Sequence, residues 1–492
     1  MGAWVRRCVQ AIRTLALAEL VAVAGGCSTH SAAAPAASVT ASEPEPVPAW
    51  TWMGGSQEVD ASGTFGTRGV ASVANTPAAR SSATSWSDAQ GNLWLFGGMA
   101  RGTSYGDLWR YSIMHKTWEW VAGDPTGNEG SVHGLRGVAD RHNEPGARFG
   151  SMAWLDRSGV FWVFGGVSGW DGSHSRYLND LWSFDPHTGL WAWMGGSPEA
   201  SAPGVYGTQG KEDAANWPGS RYGAVTWRDA KGQFWLFGGS GYGAIANTSD
   251  YLSDLWMFNP ATHHWTWMGG TTGLNKGGTY GSVGLPSPEN MPGARIGAVA
   301  WTDKHDHLWL FGGYGYDAAG RLNILADMWR YDVAARQWTW IDGTSAVPPK
   351  VTQVWIGQTS VESVLLYGTY GRRGVAAATN KLGARAYGVG WTDAVGNVWL
   401  FGGSLSPSGI FNDLWRYEPS TGQWTWMNGK NYIHTTGVYG HEGVAAAANT
   451  PGAREGAASW TDAGGNLWLF GGNGLGAPGA PGTLNDLWRF HP

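Results

Sequence analysis

One block of sequence recurs six times with unchanging internal spacing, and that recurrence restricts the chain to folds assembled from repeated units. Each copy opens on an arginine: Arg80, Arg148, Arg221, Arg295, Arg385 and Arg454. Six residues later stands a tryptophan (Trp86, Trp154, Trp227, Trp301, Trp391, Trp460), and two beyond it an aspartate (Asp88, Asp156, Asp229, Asp303, Asp393, Asp462). A Gly-Gly pair begins seventeen residues after each arginine, at Gly97, Gly165, Gly238, Gly312, Gly402 and Gly471. Then comes Asp-[Leu/Met]-Trp, at Asp107, Asp180, Asp254, Asp327, Asp413 and Asp486. Eleven residues after the first five of these is Trp-x-Trp, from Trp118, Trp191, Trp265, Trp338 and Trp424.

Each unit therefore offers four segments of strand length. Segment a runs from the Arg to the Trp, b into the Gly-Gly, c through Asp-Leu-Trp, and d through Trp-x-Trp. Turn-forming stretches such as Asp462-Ala-Gly-Gly-Asn466 and Pro419-Ser-Thr-Gly422 join them. The connection from d to the next a is patterned as well. It carries an aromatic residue or histidine before a glycine (Phe65, His133, Tyr206, Tyr280, Tyr370, Tyr439) and an Asn five residues before each Arg (Asn75, Asn143, Asn216, Asn290, Asn380, Asn449), so it reads as an ordered part of the unit.

A double glycine, then an aromatic (Tyr111, Phe184, Phe258, Tyr331, Tyr417, Phe490), then in five copies a Trp seven residues on, resembles the kelch repeat. The likeness covers residues 50–492 and extends to bacterial kelch proteins of the galactose-oxidase-like superfamily. It implies an all-β, six-bladed β-propeller with four strands per blade. The units are longer than the ~50 residues usual for kelch. Their Gly-Gly pairs lie 68, 73, 74, 90 and 69 residues apart. The last unit stops at Asp486-Leu-Trp-Arg-Phe490 without a Trp-x-Trp, whereas Trp50-Thr-Trp52 precedes the first Arg unpartnered. The N-terminal strand is thus expected to complete the last blade and close the ring.

With 34 Trp, 78 Gly and 14% charged residues, the chain is rich in packing and turn residues rather than solvating charge. A net charge of −5 without a Lys/Arg run argues against nucleic acid as a partner. The two cysteines, Cys8 and Cys27, both precede the repeats. Arg6, Arg7 and Arg13 flank an apolar run from Leu15 to Ala24, which reads as a signal peptide over residues 1–26. Val23-Ala24-Gly25-Gly26-Cys27 resembles a bacterial lipobox, with Ala24 where that motif prefers Leu. The resemblance implies lipidation at Cys27 and membrane association through the anchor alone. Residues 27–49, mostly Ala, Ser, Thr, Pro and Glu, read as a disordered tether to the propeller at residues 50–492. The expected location is the bacterial cell envelope or the extracellular space, as a monomer.

Galactose oxidase needs a Tyr cross-linked to a Cys, and no Cys follows Cys27, so its copper-radical chemistry is excluded. Asp303, His305, Asp306 and His307 occupy an a-to-b turn and, like His263-His264 in a c-to-d turn, lack metal-ligand spacing; both read as solvated turns. No metal or other cofactor is expected. The six arginines read as internal ion pairs or loop braces rather than an anion-binding ring.

Function is sought where the copies differ. The b-to-c loops of units two to four carry aromatics beside polar groups: Trp170, Asp171, His174, Arg176 and Tyr177; Tyr242, Asp250 and Tyr251; Tyr314, Tyr316, Asp317 and Arg321. Such a set suits a sugar ring or a peptide, and equally suits packing of the loops against one another. The insertion between Ile341 and Tyr370 stretches the Trp340-to-Arg385 interval to 45 residues against 28 elsewhere and is a second candidate contact element. The resulting expectation is a non-catalytic exported protein that binds a glycan or a protein. The alternative is a carbohydrate-active enzyme with its site at the channel mouth.

Overall fold

The computed structural model describes residues 48–169, 176–346, 355–356, 359–360, 368–405 and 409–492. Cys27, Trp170, Asp171, His174 and most of the 341–370 insertion lie outside them. No helix occurs among the described residues, and the main strands fall into repeated antiparallel sheets of four.

Strand β1 (Ala49–Gly54) comes first. The first sheet then runs β2 (Thr84–Ser87), β3 (Asn92–Phe96), β4 (Leu108–Ser112) and β5 (Thr117–Ala122). The second is β6 (Met152–Leu155), β7 (Phe161–Ser168), β8 (Arg176–Asp185) and β9 (Leu190–Gly195). The third is β10 (Val225–Arg228), β11 (Phe234–Phe237), β12 (Leu255–Asn259) and β13 (His264–Gly269). The fourth comprises β14 (Val299–Thr302), β15 (His307–Tyr316), β16 (Leu322–Asp332) and β17 (Gln337–Asp342). The fifth comprises β18 (Val389–Thr392), β19 (Val398–Phe401), β20 (Leu414–Glu418) and β21 (Gln423–Asn428). The last has β22 (Ala458–Thr461), β23 (Leu467–Leu475) and β24 (Pro481–His491), and its fourth strand is β1, paired to β24 with Trp50 opposite Phe490 and Trp52 opposite Trp488.

These strands form because their apolar residues suit sheets covered on both faces. The b strands read as unbroken apolar runs, Leu467-Trp-Leu-Phe470 being one, and such runs are stable only when neighbouring sheets bury both sides. Core clusters accordingly mix residues of adjacent sheets: Phe164 and Leu181 pack with Phe234 and Trp256. One cluster joins Leu93 and Trp109 of the first sheet to Trp460 and Trp468 of the last.

Two repeated devices hold neighbouring sheets together. The first strand of each sheet lies against the first strands of the sheets on either side, with β2 against both β6 and β22. From these strands the Trp86 indole donates to the Trp154 carbonyl of β6 at 3.0 Å, and Trp227 to the Trp309 carbonyl of β15 at 2.9 Å. The Gly-Gly pair permits the second device. A Cβ on Gly97 would sit 2.5 Å from the carbonyl oxygen of Arg148 in the next sheet, and one on Gly471 would sit 2.7 Å from that of Arg80. Any side chain there would push neighbouring sheets apart.

Among the described residues the long d-to-a connection is ordered, as its pattern indicates. It turns back along the outermost strand of the sheet it is about to enter: Ser72 bridges Trp118, Ser287 bridges Trp338 and Ala446 bridges Trp50. The repeat Asn holds it there. Asn75 Nδ2 donates to the carbonyls of Val70 and Trp118, and Asn449 Nδ2 to those of Val444 and Trp50. The exposed strand edge is thereby covered. All of this is an all-β architecture of the kind a β-propeller has.

Candidate functional site

Each repeat Arg is fully buried and pairs with the Asp that opens strand c of its own sheet. Nη1 to Oδ1 distances run from 2.5 to 2.8 Å over the six pairs, from Arg80–Asp107 to Arg454–Asp486. The second Nη reaches Oδ2 of the same carboxylate, making the contact bidentate. A buried ion pair is tolerated only when its remaining donors and acceptors are also satisfied. Here Nη1 also donates to the first glycine of the Gly-Gly pair, as Arg80 does to Gly97 at 2.9 Å. The Trp two residues after the Asp donates its indole N–H to Oδ2 at 2.7–2.8 Å in every copy.

The aromatic of the d-to-a connection completes four of these sites. The hydroxyls of Tyr206, Tyr280, Tyr370 and Tyr439 donate to Asp254, Asp327, Asp413 and Asp486 at 2.6–2.8 Å. His133 lies 3.3 Å from Asp180 in the second sheet, and Phe65 has no hydroxyl to offer Asp107. Burial by itself would raise the Asp180 and Asp327 carboxyls, but Arg148 and Arg295 outweigh it and hold both below the usual carboxylate range. The arginines are structural braces, as their regular company in the sequence indicates.

Locking the arginine aims the next two residues of every sheet at one place. The second of them form a closed circle of backbone hydrogen bonds. Gly150 N–H donates to the Ser82 carbonyl, Gly223 to Gly150, Gly297 to Gly223, Tyr387 to Gly297, Gly456 to Tyr387 and Ser82 to Gly456, at 2.6–3.0 Å. All six adopt left-handed backbone, with φ between 55° and 64°. Four are glycine, for which this is unstrained, whereas Ser82 and Tyr387 are not.

Beside this circle opens a cavity of about 380 Å³. Phe149, Tyr222 and Tyr387 line it from the second, third and fifth sheets. Ser81, Ser82, Met99 and Arg101 from the first sheet, with Glu455, Asn473 and Thr483 from the last, supply the rest. Burial, followed by Tyr177, pushes the Tyr222 hydroxyl up to about 12. Burial and then Tyr222 and Glu455 raise Tyr387 further, so both rings present neutral hydroxyls.

Of the described loop residues singled out in the sequence, none lines this cavity, but Tyr177 packs behind its wall. Tyr177 packs on Tyr222 at 5.6 Å and on Tyr242 at 5.9 Å, and Phe149 meets Tyr222 at 6.1 Å. Tyr251 packs edge-on against Tyr314 at 5.7 Å and Tyr316 at 6.1 Å. Several of the polar candidates brace their own surroundings. Asp317 accepts from the Arg321 amide at 2.9 Å and from its Nε at 3.2 Å, and Asp250 accepts from Asn275 Nδ2 at 2.8 Å. Arg176 is exposed at the start of β8. Sequence reasoning missed Phe149, Tyr222, Tyr387 and Glu455 because they stand one or two places after an invariant Arg, inside what reads as scaffold. The signal was the one Tyr at a position that is Gly in four of six copies.

Asp303, His305 and His307 line a separate groove, where His307 Nδ1 lies 2.9 Å from Asp303. Among the described residues no three His, Cys, Asp or Glu side chains come together as a metal site. No family model matches the chain, and no curated protein matches it. Fold and site together define the class: a repeated-sheet, all-β protein of propeller kind, with an aromatic-walled cup where its innermost strands converge.

Proposed function

We propose that this is an exported, non-catalytic binding protein, a six-bladed kelch-type β-propeller that seats a glycan in the cup at the mouth of its central channel. The blade count follows from six four-stranded sheets, the last of which takes β1 as its outer strand. Ring closure is supported by β2 lying against β22 and by the circle of six backbone hydrogen bonds. Export and anchoring rest on the leader-like segment and Cys27.

One observation carries the functional reading: aromatic rings and hydrogen-bonding side chains enter the same cavity from different sheets. Pyranose rings present apolar C–H faces and a rim of hydroxyls, so they pair with such a lining. In this reading Tyr177, packed on Tyr222, and Tyr314, packed on the same cluster as Tyr387, buttress the wall.

A glycan array probed with the full chain, followed by titration of each hit against Tyr222→Ala, tests this. Binding that weakens tenfold or more in the variant is expected. An array without a hit, or affinity indifferent to Tyr222, overturns the reading, and turnover of a bound sugar replaces it with a carbohydrate-active enzyme. Intact-mass analysis of the mature N-terminus decides whether Cys27 carries diacylglycerol and acyl chains.

A further inference from the structure

The six side chains that directly follow the braced arginines are Ser81, Phe149, Tyr222, Ile296, Ala386 and Glu455. Four of them, Ser81, Phe149, Tyr222 and Glu455, line the cup, while Ile296 and Ala386 are buried, and Glu455 is the one formal charge among the six. Its side chain has no cationic partner within ion-pair distance among the described residues; the contact it makes is with Asn473 Nδ2, at 3.4 Å. The other charges near the cup are at its rim. Arg101 also lines the cup, but its side chain is 72% exposed and pairs with Asp60 at 3.5 Å rather than with Glu455. The cup therefore carries a carboxylate without an ion-pair partner beside three aromatic rings.

Tyr387 supplies an independent sign of function. At φ 56° it holds a conformation that a bulky side chain resists, and it does so because the circle pins it from both sides. Its amide donates to Gly297 at 2.6 Å, and its carbonyl accepts from Gly456 at 2.8 Å. Its ring lies over Gly297, where an added Cβ would come within 2.7 Å of ring carbons. Glycine would satisfy the same backbone without strain, as it does in four other sheets. A strained residue that a smaller one could replace marks a place where the side chain has a task.

We infer that Glu455 and the rings of Phe149, Tyr222 and Tyr387 form a seat for an ammonium group, and that the glycan taken by the cup is an amino sugar. This rests on the cup being the ligand site. The negative faces of the rings attract a cation, and the carboxylate supplies both countercharge and hydrogen-bond acceptors. A neutral or N-acetylated sugar would leave Glu455 unanswered. An acidic sugar would be repelled.

The test is ligand-observed NMR and calorimetry on the full chain with glucosamine, glucose, N-acetylglucosamine and Nα-acetyl-lysine amide. Glucosamine is expected to bind at least tenfold more tightly than the two sugars lacking a free amine. Glu455→Gln should reduce that preference below about threefold, since one exposed ion pair's discrimination is lost, with an unchanged melting temperature. Tyr387→Gly, confirmed as folded by its melting curve, should lose binding tenfold or more. Equal binding of glucose and glucosamine, or a preference untouched by Glu455→Gln, overturns the ammonium seat while leaving the cup a sugar site. Lysine amide binding in place of glucosamine overturns the amino sugar, and a glycan array without a hit overturns both readings.

Discussion

The indole nitrogen of Trp460 donates to the carbonyl of Trp94 at 3.0 Å, although 366 residues separate them in the chain. The first and last sheets are joined by the same contact that joins consecutive ones, Trp227 to Trp309 and Trp391 to Trp468 for instance. The boundary between the first and last sheets is therefore built like the boundaries between consecutive ones that carry this contact.

Stability should depend on the first strand as much as on any internal one. Trp50 is fully buried and packs on Phe401, Trp488 and Phe490 at 5.1–6.3 Å. Trp50→Ala is expected to cost about 3–5 kcal/mol, read as a lower denaturant midpoint. A midpoint equal to that of the parent would show that β1 contributes nothing to the seam.

Breaking one buried brace should cost as much as removing core. Arg221→Met leaves Asp254 ionised and unpaired in the interior, and a loss of about 3–5 kcal/mol is expected. Arg221→Lys should also destabilise, because one ammonium cannot reproduce the planar fork. The double variant Arg221→Met with Asp254→Leu should recover most of the loss. Additive losses in this cycle would contradict a brace that acts as one unit.

Acid should unfold the protein through the same braces. Asp180 and Asp327 titrate below the ordinary 3.8 in the folded state, so the unfolded chain takes up protons first. Their contribution is present above that pH and is lost as pH falls through the lower folded values. Thermal midpoints should therefore drop steeply below about pH 4, and a pH-insensitive midpoint down to pH 2 would refute this.

Between weakly acid and neutral pH the slope should come from Glu129. Both its carboxyl oxygens are buried without a hydrogen-bond partner. Burial, then the neighbouring Asp107, Asp124 and Glu144, pushes it from 4.5 up to about 7, although Arg68 and Arg141 line the same pocket. The unfolded chain releases this proton first as pH rises, so the contribution declines from about pH 4.5 to pH 7 and is then constant. A loss of about 1–3 °C in melting temperature across that window is expected, and Glu129→Gln should flatten it. A slope unchanged in the variant would assign it elsewhere.

The circle at the mouth predicts a coupling. Gly297→Ala should cost about 1–3 kcal/mol through its left-handed backbone, with more from collision against the Tyr387 ring. In a Tyr387→Gly background the collision is absent, so the penalty should shrink. Equal penalties in both backgrounds would mean the ring does not lie over Gly297.

Much of this architecture was legible in the order of residues, because repetition turns local pattern into long-range information. Each Arg–Asp brace could be anticipated as an internal pair, since both partners recur in all six copies at nearly constant spacing. The Asn before each Arg was legible as a fixture for the same reason. The aromatic loops were legible as a group, but their division of labour was not. Tyr177 and Tyr251 look no different in sequence from one another, and only the structure shows that the first packs on Tyr222 of the cup and the second on Tyr314.

The chain by itself determined the strands, their fourfold grouping and the braces, because these depend on spacing within one unit. What enters the cup depends on residues from different units meeting at one point. Phe149, Tyr222, Tyr387 and Glu455 are far apart in sequence, and although each follows a repeat Arg their identities change from copy to copy. Tertiary structure alone decided their meeting, because the direction each side chain takes beside its locked arginine depends on how the neighbouring sheets pack.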